Sequence, residues 1–482
     1  MMSTFDEFAA VHETHIGVVF LVGERAYKLK KPVNLEFVDF STPRLRLAAC
    51  RREVELNRRL APDVYLGVSE VSDVDGGAAD YLVVMRRMPE DRRLSTLVKQ
   101  GEDVAEVVDR LARMIAAFHS TAARGERISA EGSRDAIRQR WCDSFDQVRQ
   151  VGVLDGDLTA EIERLTLDFL AGREPMFARR IAAGRVLDGH GDLLTDDVFC
   201  LDDGPRVLDC LEFDDRLRWL DGLDDIAFLA MDLERLGATD TARRLLDRYA
   251  EFAADPAPAS LRHHYIAYRA FVRAKVACLR ATQGDAASKR TAREYADLTL
   301  RHLRAGRPRL IMVGGLPGTG KSTVAGLVAD ELGAVLLSTD RLRKELAGRS
   351  PHESAAAEYQ RGIYTPEHTE RTYGELLHRA SGLLAEGETV VLDASWVRAD
   401  DRAEAERTAA RAHSEAVALR CVAPAEVAAQ RIRARHGDVS DADPRIAAAM
   451  SRDADSWPSA SDIDTSGTPA RSLAQALRVL VD

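Results

Sequence analysis

The densest chemistry in the chain lies between Gly315 and Ser322, where Gly-Leu-Pro-Gly-Thr-Gly-Lys-Ser satisfies the pattern G-x-x-x-x-G-K-[ST] at every fixed position. Such a loop binds phosphate because its glycines let backbone N–H groups converge on phosphate oxygens at a helix N-terminus. The pattern specifies a nucleoside triphosphate, ATP by expectation, together with Mg²⁺. Gly315, Gly318, Thr319, Gly320, Lys321, Ser322 and Thr323 are the candidate nucleotide-binding residues. Lys321 suits the β- and γ-phosphates, and the Ser322 hydroxyl suits Mg²⁺.

Three further groups belong with this loop. Asp340, in Ser-Thr-Asp-Arg-Leu-Arg, follows an apolar run directly, where a carboxylate can take the proton of a hydroxyl attacking the γ-phosphate. The alternative is a helix-capping aspartate. Arg341 or Arg343 beside it is a candidate to hold an anionic substrate. Asp393 ends the run Thr-Val-Val-Leu-Asp, the position of an acid acting on Mg²⁺ directly or through water, or else of a simple turn cap. Arg431 and Arg435 share a helix face at i, i+4 spacing and suit a closing lid that stabilises transferred charge. A solvated basic face is the competing reading for either one.

Elements must hold these residues. Arg309–Val313 reads as a buried strand and the segment after Ser322 as an amphipathic helix. Ala334–Ser338, Glu388–Asp393 and Ala416–Ala423 read as further strands with helices between them, and Ser472–Val481 as a closing helix. This alternation predicts an α/β domain over residues 309–482 with a mostly parallel, doubly wound sheet. The polar stretch Gly437–Asp443 is expected to be its most mobile loop. Ala305-Gly306-Arg307-Pro308 reads as a linker, which leaves residues 1–304 as a second domain. There, Gly17–Val22 and Ala26–Lys30 read as a hairpin, 44–60 as a helix and Tyr81–Arg86 as a strand, followed by mostly helical periodicity.

By its loop, Ser-Thr-Asp-Arg-x-Arg and arginine-bearing lid, the segment from about 308 to 482 resembles small P-loop kinases of the AAA type: the gluconate-kinase-like, zeta-toxin-like and polynucleotide-kinase-like enzymes. That resemblance implies phosphoryl transfer to a hydroxyl, with Asp340, Lys321, Arg431 and Arg435 as catalytic groups. Upstream, His190-Gly191-Asp192-Leu193-Leu194-Thr195-Asp196-Asp197 resembles the catalytic loop of the aminoglycoside-phosphotransferase and choline-kinase-like group, whose pattern is His-Gly-Asp-x-x-x-x-Asn. The resemblance spans about residues 10–300 and implies a bilobal, α+β, protein-kinase-like fold. It makes Asp192 the group that orients or deprotonates the acceptor. Asp197, where that family has Asn, and Asp209 become metal ligands, and Lys28 with Glu53 the pair that holds the α- and β-phosphates. Lys30, on the same strand face as Lys28, remains an alternative. Asp221 and Asp225 are expected to be structural. No G-x-G-x-x-G precedes the lysine strand.

Composition narrows the partners. The net charge of −11 disfavours a nucleic-acid ligand, which needs a basic footprint. Six scattered cysteines form no C-x-x-C pair and fit a reducing, cytoplasmic setting. No apolar run reaches membrane-spanning length. With only eight lysines in the chain, Lys28, Lys30 and Lys31 in one short segment and Lys321 in its loop stand out. The leading expectation is an ATP- and Mg²⁺-dependent kinase of a small hydroxylated metabolite. A nucleotide-binding regulator with a degenerate N-terminal kinase domain and a polynucleotide 5′-hydroxyl kinase are the alternatives.

Overall fold

The computed structural model describes residues 9–13, 16–35, 38–72, 78–350, 361–434 and 444–481. The chain divides into two compact units. One comprises Met1–Glu163, Phe177–Ala257 and Arg262–Leu303, the other Arg164–Met176, Pro258–Leu261 and Arg304–Asp482.

The first unit begins with an antiparallel five-stranded sheet in the order Ala9–Glu13, Gly17–Val22, Arg25–Lys30, Ala78–Arg86, Tyr65–Ser72. The expected hairpin is present. Its two-residue turn, Gly23-Glu24, takes a left-handed backbone at Gly23 (φ 54°). Helix Pro43–Asn57 follows, with a proline in its first turn and the Thr42 hydroxyl accepting from the Leu45 N–H. Cys50 and Val54 bury one face of that helix against Val83 and Met85 of the sheet. The rest of the unit is dominated by helices, among them Ala105–Thr121, Arg134–Val151, Gly222–Arg235, Thr239–Phe252 and Ala259–Thr282. Two short ladders carry the candidate loops. Residues 190–197 connect strand Val186–Asp188 to strand Val198–Leu201, and Asp209 follows strand Gly204–Val207.

In the second unit five strands form one parallel sheet. Its order is Val335–Ser338, Val390–Asp393, Arg309–Gly314, Glu415–Val422, Ser461–Asp464. The first strand in sequence is therefore central, and the chain runs from it to one edge and later to the other. A crevice outside the carboxyl ends of the strands at such a switch point is where ligands bind in open α/β sheets. Alternate residues of the central strand serve opposite layers. Leu310 and Met312 pack with Leu376, Leu377 and Ala405 of the helices on one face. Ile311 and Val313 pack with Val324, Ala325 and Val328 of helix Lys321–Leu332 on the other. The strand Ser461–Asp464 was not foreseen. It is four residues long, mostly polar and at the sheet edge, so it lacks the apolar run by which its neighbours are read.

Candidate active sites

The glycine loop leaves the central strand and ends at helix Lys321–Leu332, the strand–loop–helix context the motif requires. Gly318 and Gly320 adopt φ of 84° and 83°, backbone that L side chains rarely enter. A Cβ on Gly318 would also stand 2.5 Å from the Ala428 carbonyl oxygen. The loop is pinned by two threonines. Thr319 Oγ1 donates to Leu316 O (2.8 Å), and Thr465 Oγ1, just past the unforeseen strand, donates to Thr319 O (2.6 Å). Lys321 is buried to 9% exposure, while Ser322 and Thr323 are exposed at the helix start.

Asp393 ends its strand at 6% exposure. Burial raises its carboxyl pKa, and Asp340 adds to the rise. Lys321 and the hydroxyls of Ser322 and Ser338 pull the other way. Its Oδ1 is buried with no hydrogen-bond partner. A desolvated, unfilled carboxylate oxygen beside a serine hydroxyl suits Mg²⁺, which takes one or two protein oxygens and completes its shell with water and phosphate. Asp340 lies within the first turn of helix Thr339–Leu346, whose cap residue is Ser338, so the capping alternative for Asp340 fails. Arg343 Nη1 approaches Asp340 Oδ1 at 3.5 Å, whereas Arg341 is exposed. Arg431 donates from Nη2 to Thr465 O (2.6 Å), and its Nη1 lies 3.5 Å from where a Cβ on Gly320 would stand. Its guanidinium is thus held against the phosphate loop. Arg435 and Gly437–Asp443 lie outside the described residues.

Sequence reasoning missed Ser338, Thr465 and the wall made by Tyr373, Ser395 and Trp396. Tyr373 Oη accepts from the Trp396 N–H (3.3 Å) and meets Ser395 Oγ at 3.4 Å. Trp396, buried to 1%, holds φ at 52°, an outlier for a bulky residue. Arg402 braces it by donating to the Trp396 carbonyl (2.8 Å). Such strain clusters at ligand sites. Ser338 had a local signal, its place at a strand end just before Asp340; the others touch the site only through the tertiary fold.

In the first unit Lys28 and Glu53 meet as expected (2.9 Å), but within a longer row. Asp209, Lys28, Glu53, Lys30 and Glu212 alternate in sign, at 2.7 Å for Asp209–Lys28, 2.8 Å for Lys30–Glu53 and 2.6 Å for Lys30–Glu212. Both lysines therefore grip Glu53, which is fully buried. Lys28 occupies the end of the row at Asp209, and Lys30, at 2% exposure, is sealed between Glu53 and Glu212. Lys28, at 20% side-chain exposure, is the more accessible of the two lysines.

Asp192 and Asp197 stand near Asp209. Burial pushes the Asp192 carboxyl up to about 6; Asp209 adds to this, while Arg273 and Arg269 oppose it. Burial, then Asp209 and Asp192, raise Asp197 well above its ordinary value. Among the described residues no three His, Cys, Asp or Glu side chains form a ready metal cage. The donor chemistry still suits a hard cation, because these carboxylates offer the oxygen ligands that such a cation takes. Since Asp192 stays protonated to about pH 6 in the fold, the native state holds the extra proton between the usual carboxylate range and that value. Its contribution to stability therefore declines as pH rises through this window. Any turnover that needs ionised Asp192 rises through pH 6, and Asp192→Asn removes that limb from the pH–rate profile. A limb that survives the substitution would reject Asp192 as its source.

The loop that presents Asp192 hangs on Asp225. Its Oδ2 accepts from His190 N–H (2.7 Å) and its Oδ1 from Gly191 N–H (2.8 Å), and His119 Nε2 lies 3.0 Å from Oδ2. Burial would raise this carboxyl, but His119 and the amides outweigh it and hold Asp225 well below the usual range. Both Asp225 and Asp221, the latter clamped by Arg180, are structural as expected. Asp225→Ala should cost roughly 3–5 kcal/mol, the range for breaking a buried charged pair. An unchanged denaturant midpoint for this unit would refute that brace.

The class follows from these features. A unit with a strand lysine on a helix glutamate and a His-Gly-Asp loop precedes a P-loop unit, and residues 310–455 match the family described as AAA domain. Over 478 residues the chain is 44% identical to the uncharacterized protein Rv2004c of Mycobacterium tuberculosis strain H37Rv, covering 99% of this chain and 96% of that one. It belongs to the same family as that mycobacterial protein. Among solved structures it is similar to a gluconokinase from Sinorhizobium meliloti 1021, with 17% identity, 36% of this chain and 92% of that chain covered, and a TM-score of 0.28. It is also similar to a choline/ethanolamine kinase family protein from Mesorhizobium loti, with 15% identity, 63% and 89% covered, and a TM-score of 0.36. No helix among the described residues is long and apolar enough to cross a membrane.

Proposed function

We propose that the protein is an ATP- and Mg²⁺-dependent phosphotransferase acting on the hydroxyl of a small polar metabolite, with the transfer carried by the second unit. The observation that supports this most is the set of groups gathered at one carboxyl edge: the pinned loop with Lys321, Ser322 beside the unfilled Asp393 Oδ1, and Asp340 one strand away. ATP with Mg²⁺ supplies the transferable phosphoryl group and the charge that the cation neutralises. Lys321 and the loop amides offer positive charge to phosphate oxygens. Ser322 and Asp393 present a hydroxyl and a carboxylate to the cation. Asp340 accepts the proton of the acceptor hydroxyl, and Arg431 screens negative charge at the loop. Asp192 plays the Asp340 role in the first unit, with Asp197 and Asp209 toward a metal.

A second reading, a nucleotide-responsive regulator, draws on Asp197 and Asp209. The former carries an elevated pKa where the related loop has a neutral Asn, and the latter is engaged by Lys28. The two readings separate when the full chain is incubated with ATP, MgCl₂ and a polyol, sugar and amino-sugar panel under mass spectrometry. A phosphorylated organic product supports transfer. ATP bound without any phosphorylated product supports the regulator, whereas ADP formation alone does not separate the two.

A further inference from the structure

In a trans peptide the carbonyl and the N–H point to opposite sides of one plane. A carbonyl turned toward phosphate repels it, whereas the same carbonyl turned away brings an N–H to bear. The peptide from Thr319 to Gly320 is open to both arrangements. Gly318 and Gly320 flank it with left-handed backbone and no side chain to oppose rotation. Thr465 makes the choice. It is 4% exposed and directly follows the edge strand Ser461–Asp464. Its hydroxyl has one proton and two carbonyl oxygens in reach, Thr319 O at 2.6 Å and Val422 O at 3.0 Å. The Val422 carbonyl already accepts from the Thr465 N–H (2.9 Å), so the proton goes to the nearer Thr319 O. That bond holds the Thr319 carbonyl toward the edge strand and turns the Gly320 N–H away from it. No backbone carbonyl among the described residues takes that N–H. The Thr465 carbonyl in turn accepts from Arg431 Nη2 (2.6 Å), whose Nη1 stands 3.5 Å from where a Cβ on Gly320 would be. One residue thus sets two donors at the same glycine, an amide through its hydroxyl and a guanidinium through its carbonyl.

We infer that Thr465 is the positioning residue of the phosphate loop: it locks the Thr319–Gly320 peptide with its N–H toward the phosphates and steers Arg431 to the same place. This rests on the reading of the glycine loop as the nucleotide site and adds a residue to it from the far edge of the sheet. Without the hydroxyl, the peptide between the two glycines is free to turn over. The loop then loses one donor and gains a carbonyl that opposes the anion. Thr465 itself touches no phosphate and takes no proton.

The test measures binding of ATP and of inorganic tripolyphosphate, each with MgCl₂, to the full chain by calorimetry. Thr465→Val keeps the shape of the side chain and removes the donor, whereas Thr465→Ser keeps the donor. Valine should weaken both ligands by the same factor, about 10- to 100-fold, the worth of a hydrogen bond to a charged group. Serine should stay within about threefold of the parent. Thr465→Ala, with room for a water at Thr319 O, should fall between them and stands in if valine does not fold. Arg431→Gln should weaken both ligands too, and its combination with Thr465→Val should lose less than the product of the single losses. Urea unfolding without ligand verifies that each variant is folded. Parental affinity in the valine variant, or serine as weak as valine, would overturn the inference. So would a loss confined to ATP, or a parent that binds ATP but not tripolyphosphate, because the residue would then act on the nucleoside. Each of those outcomes leaves the nucleotide site standing. A parent that binds neither ligand would remove the underlying reading as well.

Discussion

Lys321→Ala is expected to leave a folded protein that no longer holds ATP, with Kd raised roughly 10²-fold or more, in line with the about 2–5 kcal/mol cost of truncating one member of a buried charge pair. The size of the effect follows from what surrounds the ammonium group. Lys321 is buried to 9% exposure in the first turn of its helix, and its charge acts on Asp393, the carboxylate that Asp340 also influences. A triphosphate brings several more negative charges to the same place. Without the lysine, loop amides and one cation face all of them, and Asp393 loses the charge that most opposes its protonation. Lys321→Met, which keeps the aliphatic stem, should lose affinity to a similar extent, so that packing is not the cause. Calorimetry with MgCl₂ checks this, and thermal unfolding verifies the fold. Undiminished affinity in both variants would remove the loop from the nucleotide site.

Asp340→Asn should lower kcat for product formation by about 10²–10⁴, the usual range for loss of a general base, while ATP affinity shifts only a few-fold. Asparagine keeps the size and the contact with Arg343 but cannot take a proton. Because the side chain sits inside the first helical turn rather than at its cap, stability should hardly change. The experiment also separates the two units. If Asp192→Asn abolishes the product and Asp340→Asn does not, the transfer belongs to the first unit. Equal turnover in Asp340→Asn and the parent would exclude Asp340 as the base.

How far these sites could be read in advance depended on how local their chemistry is. The phosphate loop is contiguous, its glycines are demanded by backbone conformation, and its flanking strand and helix are strongly apolar, so eight residues were enough. Asp393 was readable because it closes an apolar strand at its carboxyl end, and Asp340 because it follows such a strand within the first turn of the next helix. The pairing of Lys28 with Glu53 needed only order along the chain and a family resemblance. The choice between Lys28 and Lys30 did not emerge, since it depends on Asp209 and Glu212 arriving from more than 180 residues away. The same holds for Thr465 on the phosphate loop and Tyr373 on Trp396. The strands Tyr65–Ser72 and Ser461–Asp464 escaped because an edge strand with mixed polarity carries little of the burial signal that marks a central one.

The row from Asp209 to Glu212 has an odd number of members, and its parity has an electrical consequence. Beginning and ending on acids, it cannot neutralise itself. One unit of negative charge is left over, and it is cheapest to keep where water can reach. Glu212 is nearly sealed at 8% side-chain exposure, whereas Asp209 is open at 52%. The surplus therefore gathers at the solvent-facing end of the row, so the same arithmetic that keeps two lysines charged inside the fold also leaves a standing demand for a mobile counterion beside Asp209.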